Sequence, residues 1–187
     1  MKCSVFIATS ADGYIATPDG GVEWLDACGT ADADMGDQAD MGFFKFISSV
    51  DCMILGRKCM EKLARLNIPK EQWPYGTIRM IALSNSVSKA PDNLYGKVEM
   101  YRGDVVSLIA QLEKEGFKHA YIDGGSTITS FLNQQLITDM QITQAPVLLG
   151  EGIPLFGKLE QPIQLEKTDA TVYPNGFITT YYQVCYQ

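Results

Sequence analysis

Three short segments of this 187-residue chain bring together residue types suited to holding phosphate. The first is Ile122-Asp123-Gly124-Gly125-Ser126-Thr127. Paired glycines between an apolar run and a helical one let the backbone come close to a ligand. A helix N-terminus offers free amides and the positive end of its dipole, and Ser126 and Thr127 add hydroxyl donors. The second segment is Leu55-Gly56-Arg57-Lys58-Cys59. Two cations at the start of a helix oppose its dipole unless an anion compensates, and the 2′-phosphate of NADPH is such an anion. The third is Leu83-Ser84-Asn85-Ser86, whose hydroxyls and amide suit the same phosphate or an adenine. Taken alone, each has an equally good plain reading: a tight strand-to-helix turn, a solvated basic pair, and a polar loop. Neither the full GxGxxG fingerprint nor a Walker lysine is present.

Other chemistries are poorly supplied. The one histidine, His119, opens the apolar run Ala120-Tyr121-Ile122 and has no clustered ligands for zinc, so no metal is expected. The five cysteines, at 3, 28, 52, 59 and 185, are odd in number and form no CxxC. With no export pattern at Met1-Lys2-Cys3-Ser4-Val5-Phe6-Ile7, they suggest a reducing cytoplasm. The net charge of −7 lacks the basic surface a nucleic-acid partner needs. No run approaches the about 20 apolar residues of a membrane span, so neither nucleic acid nor membrane is an expected partner.

The elements that must position these segments follow from periodicity. Strands are expected at 2–9, 51–55, 78–83, 98–101 and 119–122, with helices over the spacing Met41, Phe44, Ile47, Val50, over 57–66 and over 105–115, and from Ser126 to about Asn133. Asp104 is a fitting N-cap and Gly116 a stop. Residues 26–37, small and acidic, read as an exposed loop. The last third changes to β-rich runs at 138–148, 162–172 and 177–186, the last two joined by a hairpin at Tyr173-Pro174-Asn175-Gly176. Strand–helix alternation followed by strands alone predicts one α/β domain over 1–187, a three-layer αβα fold. Its mostly parallel sheet has about eight strands, about four helices on its two faces, and an antiparallel C-terminal hairpin.

Taken together, several segments carry a resemblance. They are Ile7-Ala8-Thr9-Ser10-Ala11-Asp12-Gly13-Tyr14-Ile15-Ala16, Trp24-Leu25, Phe44, Asp51 through Lys58, Asp123-Gly124-Gly125-Ser126, and Pro146 through Phe156. In this order the chain resembles the dihydrofolate-reductase-like superfamily, particularly the branch of the C-terminal reductase domain of riboflavin biosynthesis and its stand-alone relatives. The resemblance implies an NADPH-dependent reductase of a small pyrimidine- or pterin-like ring, similar to 5-amino-6-(5-phosphoribosylamino)uracil reductase. Ala8 and Ile15 would line the nicotinamide pocket, with 12–16 folding over it. Gly56, Arg57, Lys58 and Ser84 would hold the adenosine side, and Gly124, Gly125, Ser126 and Thr127 the diphosphate.

For the substrate, the resemblance points to Asp40, which stands sixteen residues before Gly56, as the carboxylate facing the ring and as a candidate proton donor. Trp24, Phe44 and Thr143 would join it in the substrate site. Each has a plain alternative: a helix cap, a core or lid aromatic, or a strand residue. Cys59 stands where the family usually has Thr or Ser, and the acidic loop replaces a proline-containing stretch before the carboxylate. The competing readings are a dihydrofolate reductase and a non-catalytic, ligand-binding or structural homodimer. A homodimer is expected, from the resemblance and from the β-rich C-terminus, whose long strands expose edges and faces that need cover.

Overall fold

The computed structural model describes residues 1–186. Eight strands form one sheet: β1 (Lys2–Thr9), β3 (Cys52–Gly56), β4 (Arg79–Leu83), β5 (Val98–Tyr101), β6 (His119–Asp123), β7 (Asp139–Gln144), β9 (Gln164–Val172) and β10 (Ile178–Cys185). Their spatial order is β5-β4-β3-β6-β1-β7-β10-β9. The first six run parallel, and β10 pairs antiparallel with both β7 and β9. Two further short strands, β2 (Tyr14–Ala16) and β8 (Ile153–Pro154), pair with each other apart from the sheet. The helices are α1 (Trp24–Ala27), α2 (Phe43–Ile47), α3 (Arg57–Leu66), α4 (Val105–Lys114) and α5 (Gly125–Asn133). None is long and apolar enough to cross a membrane.

Central strands such as Cys52-Met53-Ile54-Leu55 are apolar on both sides because both sides are covered. On one face Cys3, Val5, Ile54, Ile122 and Met140 pack with Leu108, Ile109 and Leu112 of α4 and with Ile128 and Phe131 of α5. On the other, Met53, Leu55, Met80 and Tyr121 pack with Phe46 and Ile47 of α2 and with Met60 and Leu63 of α3. These are the expected three layers. Asp104 caps α4, accepting the Ser107 N–H at 2.8 Å. His119 lies at the end of the sheet where β1 and β6 begin; its Nε2 lies 2.8 Å from Ser4 Oγ and its Nδ1 2.8 Å from the Ser49 carbonyl.

The differences from expectation are local. Among the described residues there are five helices rather than about four, because Trp24–Ala27 makes a single turn that runs into the start of the acidic loop. The helix expected across Met41 to Val50 is only Phe43–Ile47. The run 138–148 leaves the sheet after Gln144, where Pro146 cannot donate to a ladder. Strand β9 is exposed on both faces and forms the sheet edge. A register shift opposite Tyr181/Tyr182 and the charges Glu166, Lys167 and Asp169 discourage continued pairing there.

The hairpin tip does more than turn the chain. Tyr173 and Phe177 form a third cluster with Ala145, against which Trp24, Leu25, Met35 and Met41 pack. The Asn175 carbonyl accepts the Thr30 N–H at 3.1 Å. The acidic loop is thereby pinned over the end of the sheet.

Candidate functional site

The chain leaves the adjacent strands β3 and β6 in opposite directions. From β3 it passes through α3, on one face, to β4 nearer the β5 edge. From β6 it passes through α5, on the other face, to β7 beyond β1. Such a divergence opens a crevice at the carboxyl ends of the strands, where α/β sheets hold ligands. The register pairs Leu55 with Asp123, so the turns at Gly56 and Gly124 lie side by side.

The two turns interlock. A Cβ on Gly56 would stand 2.9 Å from Thr127 Oγ1, and one on Gly124 would stand 2.5 Å from Cys59 Sγ. Gly124 also has φ +92° and ψ +133°, a backbone conformation that side chains resist. A Cβ on Gly125 would meet the Leu155 and Pro154 carbonyls at 2.8 and 2.9 Å and Ile15 Cδ1 at 3.3 Å. Close packing of the protein on itself therefore accounts for these glycines in part. The first turns of α3 and α5 carry no side-chain cap, which leaves their leading amides without a side-chain acceptor. Ser126 is exposed beside them.

Further along the same end lies a second group. Ser84 follows β4, its N–H bonded to the Tyr101 carbonyl at 3.0 Å. Its Oγ accepts the Val87 and Ser86 N–H groups at 2.8 and 3.2 Å, which shapes a tight loop. A depression of about 300 Å³ opens there, lined by Ser84, Asn85, Ser86, Met100 and Arg102 among others. Arg57 stands at the end of the neighbouring strand, its Nη1 2.6 Å from Glu61 Oε1, and Lys58 is exposed. Arg57, Ser84 and Arg102 thus follow three consecutive parallel strands, each about 4.8 Å from the next. Arg102 has no local signal in the sequence and emerges only from this adjacency.

The loop after β1 is clasped rather than free. Asp12 accepts Ser10 Oγ at 2.6 Å and the Leu149 and Gly150 N–H groups at 3.1 and 2.7 Å. These bonds, the one from Ser10 foremost, hold its carboxyl below the usual range. The Ala11 N–H reaches the Val147 carbonyl at 2.8 Å, and the Leu155 N–H reaches Gly13 O at 3.0 Å. Lys62 of α3 donates to the Gly20 carbonyl, tying the next stretch of loop across the crevice. Ile15 is held against Gly125, while half-buried Ala8 sits on β1 in register with Thr143.

The four residues expected at the substrate are placed as follows. Asp40 accepts the Phe44 and Gly42 N–H groups at 2.7 and 3.1 Å. Both bonds, the one from Phe44 foremost, hold its carboxyl below the usual range. Phe44 is 61% exposed; its neighbour Phe43 is the ring turned inward, against Phe6 and Tyr75. Trp24 packs against the hairpin-tip cluster, with its Nε1 buried and lacking a protein acceptor among the described residues. Thr143 is buried, its Oγ1 2.7 Å from Thr179 Oγ1. The Tyr173 hydroxyl donates to the Met41 carbonyl at 3.2 Å, which links the hairpin tip to the segment carrying Asp40.

The sequence reading assigned no role to the side chain of Asp123. Burial, the largest influence, pushes its carboxyl up to about 6, outweighing the bonds from Tyr121, the Gly124 amide and Cys59 that stabilise the anion. Tyr121 lies 3.4 Å from Asp123 Oδ1 while donating to the Phe6 carbonyl at 2.9 Å. A carboxyl whose proton is held toward neutrality by burial at a strand end is a candidate for proton transfer. Its position directly before Gly124-Gly125 was the available signal.

The sheet order, the closing antiparallel hairpin and the divergence at β3 and β6 define a dihydrofolate-reductase-like α/β fold. The dihydrofolate reductase of Enterococcus faecalis, solved with NADP(H), shares it at a TM-score of 0.63 and 16% identity, over 98% of this chain and 96% of that one. The chain belongs to the RibD C-terminal domain family, which residues 77–179 match. It is 30% identical over 165 residues to the Bacillus subtilis protein YwjB, covering 88% of this chain and 87% of that protein. A putative riboflavin biosynthesis protein from Shewanella sp. PV-4 is similar over the whole of both chains, at 35% identity and a TM-score of 0.88.

Proposed function

We propose that this chain is an NADPH-dependent reductase of a small pyrimidine- or pterin-like ring, of the kind riboflavin biosynthesis uses. The observation that carries the reading is the alignment of Ser84, Arg57 and Gly124 at the ends of three adjacent parallel strands, β4, β3 and β6 respectively. That donor set suits the group: cations and hydroxyls on the adenosine side, uncapped helix amides with Ser126 and Thr127 for the diphosphate, and Ala8 and Ile15 beside the nicotinamide. NADPH, when bound, supplies the hydride. The chain's own residues then orient the ring, exclude water and hold a proton.

Within this reading Asp40 is a fixed anion that accepts N–H groups from an amidine-like ring edge. The orphan indole N–H of Trp24 finds its acceptor in a ring carbonyl, since a buried donor without a partner costs about 1–3 kcal/mol. Asp123, titrating near 6, is the proton-bearing acid. All five cysteines are free, in keeping with a reducing cytoplasm, and the exposed edge strand β9 offers a surface for a homodimer. Sedimentation at assay concentration checks the latter.

Quenching of protein fluorescence by NADPH tests the cofactor directly. Micromolar binding is expected, and Asp123→Asn is expected to retain it while losing turnover of an aminopyrimidine substrate. Methotrexate competition and a dihydrofolate assay identify a folate enzyme instead. No NADPH binding at such concentrations overturns the proposal.

A further inference from the structure

Glu61 stands one helical turn beyond Arg57 on α3 and takes its guanidinium at 2.6 Å. Both side chains keep about a third of their surface (36% and 33%), so the pair sits on the rim of the crevice and not inside it. Two features set it apart from an ordinary helix-surface ion pair. The order is cation first and acid second, the reverse of the order a helix dipole favours, and Lys58 adds another cation to the same first turn. Arg57 also follows β3, the strand next to β4, and the ends of β4 and β5 carry Ser84 and Arg102, which line the depression that suits an adenosine 2′-phosphate. Glu61 therefore occupies the guanidinium that stands on the strand end next to that depression.

We infer that Glu61 sets how strongly the chain distinguishes 2′-phosphorylated from unphosphorylated dinucleotides, by holding Arg57 half-neutralised at the rim. The inference rests on the crevice being a nicotinamide-dinucleotide site. A ribose phosphate monoester carries about −1.5 to −2 charge at neutral pH. It must compete with the carboxylate for Arg57 and is repelled by it. An unphosphorylated ribose has no such conflict, because its 2′-hydroxyl can donate to a nearby acid. One side chain thus works against one cofactor and in favour of the other.

The test uses Glu61→Gln, which keeps the shape and the acceptor oxygen but removes the charge. Dissociation constants are measured for NADPH and NADH, and for adenosine 2′,5′-bisphosphate and AMP, which isolate the adenosine end. The variant is expected to tighten the two 2′-phosphorylated ligands by about fivefold at low salt while leaving AMP and NADH unchanged or weaker. The gain should shrink at high salt. Glu61→Ala must move the ratio the same way. A purely structural ion pair would shift all four ligands alike, and an unchanged ratio in both variants overturns the assignment. If the unaltered protein binds neither NADPH nor NADH, the dinucleotide reading beneath it fails as well.

Discussion

Gly124→Ala tests how tightly the two turns at the crevice are fitted together. The backbone there has φ +92° and ψ +133°, a combination rarely tolerated outside glycine, and holding alanine in it costs about 1–3 kcal/mol. The new methyl group would also lie 2.5 Å from Cys59 Sγ, inside van der Waals contact, and such overpacking costs about another 1–3 kcal/mol. The sum, about 2–6 kcal/mol, is a large part of the about 5–15 kcal/mol that stabilises a typical domain. At about 2–4 °C per kcal/mol for a chain of this size, the melting temperature should fall by roughly 4–24 °C. Urea unfolding followed by circular dichroism measures the loss. A double-mutant cycle with Cys59→Ala then separates its two sources. Removing the sulfur relieves the overlap but not the dihedral strain, so the double variant should recover about 1–3 kcal/mol relative to additivity. Gly124→Ala within about 1 kcal/mol of the parent would refute the strained turn. A cycle with no coupling would show that Cys59 is not what the methyl group meets.

Two further outcomes follow from the same site. Asp123 has a folded-state carboxyl raised to about 6 from an ordinary 3.8, so between those values the folded protein binds more protons than the unfolded chain. Stability should therefore fall by up to about 3 kcal/mol as pH rises from about 4 to 6, then level off, and Asp123→Asn should flatten that segment of the profile; parallel urea midpoints across the range for both proteins would contradict the buried acid. Asp12→Ala removes the acceptor that clasps Leu149 and Gly150 to the loop over the crevice. It should raise the NADPH KM several-fold with a smaller change in kcat, and hydrogen exchange should quicken at 147–150; protection equal to the parent's would remove the clasp from the account.

Much of the fold was legible because its signals are local. Strands β3 and β6 are apolar on both faces, as strands covered on both sides must be, and each ends in a glycine turn before a helix. The hairpin at Tyr173-Pro174-Asn175-Gly176 forms a turn closed by Gly176 N–H to the Tyr173 carbonyl at 3.0 Å. Short elements were less legible. The spacing from Met41 to Val50 is helical, yet only Phe43–Ile47 winds up, because the flanking residues take their partners from Asp40 and the hairpin tip. Of the aromatic candidates, Phe44 is exposed and Phe43 is inward, a rotation that a five-residue helix does not announce.

By itself the sequence determined the αβα alternation, the antiparallel end, and three phosphate-suited turns, all written in residues adjacent along the chain. Only the tertiary structure decided that these turns meet. It placed β3 and β6 side by side, brought Arg102 next to Ser84, set Arg57 on the strand beside them, and buried Asp123 near Tyr121 and Cys59. The physical reason is that apolar periodicity and turn chemistry depend on neighbours in sequence. The charge state of a carboxyl, the grouping of donors at neighbouring strand ends and the room beside a glycine depend on neighbours in space, which the strand order assigns.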